Sequence, residues 1–459
     1  MRWRLLVIFL VIVTGLSVVQ ARVSRTFIEV SRIATEAPSI ICPASAHGAT
    51  IALNGENISV SPLGKLPKGV KDRPFTTSDP VTSRPVSGNP HIVDNSSGGI
   101  TQLDSTSAVS GLKCPSVDTS YWFVGGSAAL NSQDQLILSN ASHGDATATI
   151  LAWSDKGPVP TYPVVVPAQS GIRVGLDSVA PGVSALAIHV LVQSGRVAAS
   201  LFDQRSQGLT QFGADYVPPG IEPAKNFVLL GVPQTPIITA PISKSKKKTS
   251  TSTPVSDSRV LRLLSPRVDA SVRVDVSGAG DFFTPLGLDH IELKAGVVKD
   301  ITVTAALASS VYSFVVTADS PVVAGVFSSI ALTGGSDIAW TASTPVLSSD
   351  AIDASFNGTH YTFFSPIDAS VQVSATGASP TPTTQVLVIP ANTVVSWAPK
   401  KSTTGVIGVR IHPVGKSIYA ASLFRSNSGL TTSPIRSLSM TGKSTMAVPQ
   451  ADVGVGMPR

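Results

Sequence analysis

The chain has 459 residues, of which 42% are hydrophobic and only 14% are charged. Its 34 basic residues outnumber 28 acidic ones, a net charge of +6. High apolar content with little net charge excludes an intrinsically disordered chain, the lack of an Ala/Glu/Lys/Leu-rich heptad block excludes a coiled coil, and a single long apolar run excludes a polytopic membrane protein.

That run extends from Leu5 to Val19, after Arg2 and Arg4, and ends in Val19-Gln20-Ala21. It is shorter than the ~20 residues that cross hydrocarbon. A basic start, a short apolar stretch and a small-residue end predict export. Residues 1–21 are therefore expected to be a signal peptide cleaved after Ala21, or a retained signal anchor, with everything after Arg22 outside the membrane. Setting Arg2 and Arg4 aside leaves an excess of four positive charges, which the cluster Lys244, Lys246, Lys247 and Lys248 supplies by itself. The basic balance reflects one loop rather than a basic surface.

The two cysteines, Cys42 and Cys114, are each followed by proline. In an exported chain two cysteines predict one disulfide. Residues 22–113 are rich in Gly, Pro, Ser and Thr, and are expected to be an irregular segment tethered by that bridge.

The remainder repeats itself. Gln135-Leu136-Ile137-Leu138-Ser139-Asn140 precedes Asp145-Ala146-Thr147. Arg262-Leu263-Leu264-Ser265-Pro266 precedes Asp269-Ala270-Ser271, and Thr362-Phe363-Phe364-Ser365-Pro366 precedes Asp368-Ala369-Ser370. Later in each copy, a β-rich run breaks at a turn: Val166-Pro167-Ala168-Gln169, Leu293-Lys294-Ala295-Gly296 and Ile389-Pro390-Ala391-Asn392. Each copy closes with a small-residue strand ending in phenylalanine, at Phe202, Phe327 and Phe424. Conserved order at conserved spacing indicates internal duplication. Within the runs the apolar period is two, as in Val272, Val274 and Val276, which buries one face of a strand and wets the other.

These patterns predict an all-β chain of three tandem Ig-like β-sandwich repeats after an N-terminal signal or anchor helix. The expected boundaries are 114–216 for repeat 1, 224–337 for repeat 2 with a solvated Lys-rich insertion at 241–256, and 338–426 for repeat 3. Residues 427–459 are expected to form a tail.

Reactive constellations are scarce. No Gly-x-Ser-x-Gly elbow and no phosphate-cradling loop is present. The seven histidines never fall at i, i+2 or i, i+4, so no metal and no cofactor are expected. The repeated Asp145, Asp269 and Asp368 read as turn residues rather than calcium ligands. His189 reads as a surface histidine on an alternating strand. The lysine cluster Lys244, Lys246, Lys247 and Lys248 is a candidate for anionic ligands, and Trp153, beside Asp155 and Lys156, is the candidate aromatic platform for carbohydrate. Aromatic side chains for base stacking are missing near the lysines, so no nucleic-acid partner is expected.

The Cys-Pro pairs, the block Trp122-Phe123-Val124-Gly125-Gly126-Ser127 and the recurring Ser-Pro…Asp-Ala strand pair resemble an actinobacterial family of exported proteins. Its members usually carry one N-terminal transmembrane segment and are described only as a domain of unknown function. The resemblance runs from about Cys42 to the end of the chain. It implies an extracytoplasmic, membrane-anchored or secreted protein and no particular activity. The chain departs from the family in its lysine-rich insertion and in Ser139-Asn140, where the other repeats have Ser-Pro.

The function expected from these features is that of a non-enzymatic cell-envelope protein, binding or scaffolding envelope protein or polysaccharide through tandem sandwiches. The alternatives are a carbohydrate-binding accessory module for envelope polymer assembly and a hydrolase with its site between sandwiches.

Overall fold

The computed structural model describes residues 40–437 except 46–47, 56, 67, 69–71, 95, 97, 106–108, 235–257, 304–310, 333–334 and 378–381. The signal or anchor segment 1–21, the Lys-rich insertion 241–256 and the end of the tail lie outside the described residues. Among the described residues, one four-residue helical turn, Leu176–Val179, interrupts a chain otherwise built of antiparallel strands. No helix among them is long and apolar enough to cross a membrane.

The predicted alternation is met most fully in strand Ala146–Ser154, whose nine residues alternate strictly between buried and half-buried. In each repeat the two recurring sequence blocks become neighbours in one sheet. Strand Gln135–Asn140 pairs antiparallel with Val197–Gln207, Ser258–Leu264 with the second half of Val311–Leu332, and Thr359–Ser365 with Ile418–Arg425. The facing sheet of each repeat carries the Asp-Ala strand. Between the sheets lie three separate apolar cores, centred on Phe123, Leu138 and Ile150, on Leu263, Val274 and Phe314, and on Phe363, Val371 and Ile411.

A turn device recurs three times. The carboxylates of Asp145, Asp269 and Asp368 accept the backbone N–H of Ala168, Ala295 and Ala391, at 3.0, 2.9 and 2.8 Å. The next residue has positive φ in every copy: Gln169 at 48°, Gly296 at 71° and Asn392 at 55°. The aspartates thus tie the start of one strand to the turn after the adjacent edge strand, rather than each binding its own local backbone. Asn140, in the place of the prolines of the other repeats, performs a related task. Its side chain donates to Gly144 O and Val166 O and accepts from Ser142 N–H.

Three expected boundaries differ from the structure. First, residues 22–113 are not irregular throughout: from Ile40 onward they carry eight strands, in two four-stranded sheets. These enclose a fourth core of Ile51, Leu53, Ile58, Val60 and Val93. The strands are three to six residues long, and Phe75–Thr77 and Val81–Val86 are mostly half-exposed or exposed, so their apolar signal is diluted. Second, strand Gly335–Thr344 straddles the expected boundary at 338 and pairs with Val311–Leu332, so it belongs to repeat 2. Third, the expected tail begins with strand Leu430–Pro434, which extends the third sandwich by pairing with Ile418–Arg425.

Cys42 and Cys114 form a disulfide across a sequence separation of 72. It joins the first strand of the N-terminal sandwich to the residue just after its last strand. Removing both thiols, as C42S/C114S, is expected to lower stability by about 4 kcal/mol in the chain-entropy account. A fall in urea midpoint relative to the oxidised protein reads this.

Buried aspartates tie the sandwiches together. Asp337 is 1% exposed and accepts the N–H groups of Ala214 and Leu430, from repeats 1 and 3, at 3.3 and 3.0 Å. Burial, opposed by these N–H donors, pushes its carboxyl up to about 7. The folded state therefore holds a proton that the unfolded chain releases near pH 4, so this group's contribution falls as pH rises from about 4 to about 7. D337N is expected to make the stability–pH slope in that window shallower by up to ~1.4 kcal/mol per pH unit, one proton's worth. Denaturant melts at pH 5, 6 and 7 check the sign.

Candidate functional site

Strand Ser120–Phe123 turns Tyr121 and Phe123 into the first core, leaving Ser120 and Trp122 on the opposite face. The neighbouring strand Ala187–Ser194 places His189 directly across from Trp122. Their rings stack with centroids 4.2 Å apart, and Trp153 stacks on Trp122 at 5.4 Å. The result is a ladder of three rings, Trp153–Trp122–His189.

The ladder enters the joint between repeats 1 and 2. Trp122 is buried there with Val124 and Ala187, against Leu264, Val298 and Val323 of the second repeat. Gly325 is required at this joint, because a Cβ there would lie 2.2 Å from Val124 O. Trp153 is half-buried, with Trp122 against its ring and Pro158 and Gly296 beside it. The exposed sugar platform expected of Trp153 is instead part of this packed joint.

The outer end of the ladder is polar. Glu222 accepts Trp122 Nε1–H at 2.9 Å and the hydroxyl of Ser120. Ser120 Oγ also lies 2.8 Å from His189 Nε2. A serine has one hydroxyl hydrogen. With that hydrogen on Glu222, His189 Nε2 is the donor to Ser120. Burial holds His189 below the usual histidine range; Arg267 adds to this and Glu222 opposes it. A serine nucleophile needs the reverse arrangement, with an unprotonated ring nitrogen receiving its hydrogen. The geometry orders the linker residue Glu222 against the first sandwich.

Ser120, Tyr121 and Glu222 also border a cavity of about 310 Å³ where the N-terminal sandwich, the first and third sandwiches and residues 433–437 converge. Its walls are mainly apolar. Ile40 and Ser437 both line it. One side carries Lys113, whose Nζ donates to both carboxylate oxygens of Asp353 at 2.6 Å and to Thr101 Oγ1 at 2.7 Å. Tyr361 donates to the same carboxylate at 2.7 Å. Burial pulls the Lys113 ammonium below its ordinary value, and Asp353 opposes that pull. The pair clamps sandwiches 240 residues apart in sequence. Alongside it, Gly99 N–H donates to Ile352 O, and Ala354 N–H donates to Gly99 O.

Of the sequence-predicted sites, the structure pairs Cys42 with Cys114 and stacks Trp153 in a joint. Lys244, Lys246, Lys247 and Lys248 lie outside the described residues. Ser120, Glu222, Lys113 and Asp353 belong to no motif in the sequence. The only available signal was a lone charge, Lys113, ending the otherwise neutral strand Val109–Lys113. K113M is expected to cost about 3–5 kcal/mol, because it leaves the Asp353 carboxylate buried without its cation. K113M/D353N is expected to recover part of that loss, and urea midpoints of the two variants test the order.

A family model described as "Family of unknown function (DUF5719)" matches residues 99–400. No curated protein matches the chain. A solved structure, the tetra-tandem repeat in the extending region of a large adhesion protein, aligns at 9% identity over 87% of this chain and 95% of the other, with a TM-score of 0.11.

Proposed function

The chain belongs to this family of unknown function, and we propose that it is a non-enzymatic protein of the cell envelope that binds or scaffolds other envelope components. One observation carries the reading: its sandwiches are locked to one another by buried polar clamps, so they present a surface of fixed shape. Lys113–Asp353 joins the N-terminal and third sandwiches. Arg262 joins the second to the first, donating to Gly126 O and Leu186 O at 2.8 and 3.1 Å while paired with Asp300. A pre-ordered surface loses little conformational entropy on binding, which suits a scaffold.

The disulfide supports placement outside the reducing cytoplasm. In this reading residues 1–21 export the chain and either hold it to the membrane or are removed after Ala21. The partner is an envelope protein or polysaccharide. The packed positions of Trp122, Trp153 and Trp340 favour protein over carbohydrate as the partner, since sugar platforms need open ring faces.

Co-sedimentation of the purified protein with isolated cell-wall polymer, and with protein-containing envelope fractions, tests the proposal. Retention by protein-containing fractions alone is the expected result. Saturable binding to deproteinised polysaccharide would transfer the function to carbohydrate recognition. Recovery in the supernatant of every fraction would remove the scaffold reading.

A further inference from the structure

We propose that edge strand Thr383–Ile389 of the third sandwich is a self-association surface, pairing antiparallel with the same strand of a second copy of this chain. Equivalent positions in the three repeats differ at this edge.

Each repeat carries the same kind of edge strand, ending in the turn fixed by its aspartate. These are Tyr162–Val166, Ile291–Leu293 and Thr383–Ile389, each paired along its length, among the described residues, to a single neighbour, the Asp-Ala strand. An unpaired edge exposes backbone donors and acceptors, and folded proteins usually blunt it with charge, proline or brevity. Counting back from the positive-φ residue gives equivalent outward positions. Six residues back stand Pro163, His290 and Val386; four residues back stand Val165, Glu292 and Val388. Repeat 1 therefore has a proline in its edge strand. Repeat 2 has a three-residue edge in which Glu292 carries a carboxylate, with His290 Nε2 just before the strand 2.7 Å from it. Repeat 3 has seven residues with neither charge nor proline.

Two valines stand on the outer face of that strand, in line with Thr384. Val386 is 59% exposed and Val388 is 68% exposed. Across the sheet Val388 stands opposite Ser370, and Ser370 opposite Val414, which is 44% exposed, while Val386 stands opposite Gln372. β-Branched residues on an uncovered edge are what a further strand would pack against.

A second copy fits this edge for two reasons. The strand is neutral from Thr383 to Ile389, so antiparallel pairing of two copies meets no like charge. A two-fold axis at Val386 sets Val386 beside its own copy and Thr384 beside Val388, bringing the exposed valines of both copies onto one face. Pro382 and Pro390 bracket the strand, and proline donates no ladder hydrogen bond. Pairing thus stops at both ends, and the isologous contact closes as a dimer rather than propagating as a fibre. The contact is short, so the dimer is concentration-dependent.

Sedimentation equilibrium of the purified protein across a hundredfold concentration range tests the proposal. A monomer–dimer equilibrium is expected. V386H/V388E installs the pair that repeat 2 already carries at equivalent positions, and should weaken association at least tenfold with unchanged far-UV circular dichroism. V388K serves as a second variant, and V165E on the first repeat as a control that leaves the dimer intact. A wild-type protein monomeric throughout overturns the proposal and leaves the edge to an extended segment of a different protein. A dimer that survives both edge variants also overturns it, because association then uses another surface.

Discussion

The arrangement of the sandwiches depends on how one indole is held. Trp340 comes from the last strand of repeat 2, yet it is 1% exposed within the core of repeat 1. Its Nε1–H donates to Asp203 at 2.8 Å, and Asp203 also pairs with Arg205 at 2.6 Å. Arg262 lies 5.3 Å over the indole, Arg205 lies 5.3 Å over Phe327, and Phe327 packs edge-on against Trp340. Asp203 is fully buried; without these donors its charge would have no compensation. Burial and the neighbouring Asp203 also push Asp134 well above the usual carboxylate range. Such a network adds little net stability over a well-packed apolar joint. What it does is reject other geometries, because a rotated joint would strand several buried charges together.

This accounts for what could be read from the sequence. Strands and turns announce themselves locally, through a period of two and through Asp and positive-φ residues at fixed offsets. The three repeats were therefore legible, down to the blocks that become sheet neighbours. The joints were not, because they join residues far apart in the chain, 76 positions for Arg262 with Leu186 and 240 for Lys113 with Asp353. No local pattern marks such a pair. Trp340 illustrates the difficulty: it sits near the start of the third repeat in sequence, but its strand belongs to the second and its side chain to the first. The N-terminal sandwich escaped for a different reason. Strand Val81–Val86 contains a proline and is mostly half-exposed, so it reads as loop, and its fold draws on a disulfide where a larger core would otherwise serve.

Repetition also separates structural positions from adapted ones. The aspartate, its alanine partner and the positive-φ residue recur because every copy must make the same turn. Three residues before the recurring serine, by contrast, stand Leu136, Arg262 and Thr362. Leu136 fills its own core, Arg262 reaches into the neighbouring sandwich, and Thr362 bonds within its sheet to Ala421 O. One backbone position has been fitted to three different neighbours.

The residues bordering the central cavity are adapted positions of the same kind. Glu222 lies in the linker between repeats and holds both Ser120 and the Trp122 indole, while Lys113 and Asp353 come from sandwiches at opposite ends of the chain. None of these side chains belongs to the duplicated turn. Each acts where sandwiches meet, in a region that a single repeat cannot form. A function residing in this cavity would therefore belong to the assembled body and not to any repeat, and a loosened joint would damage it before any individual core unfolded.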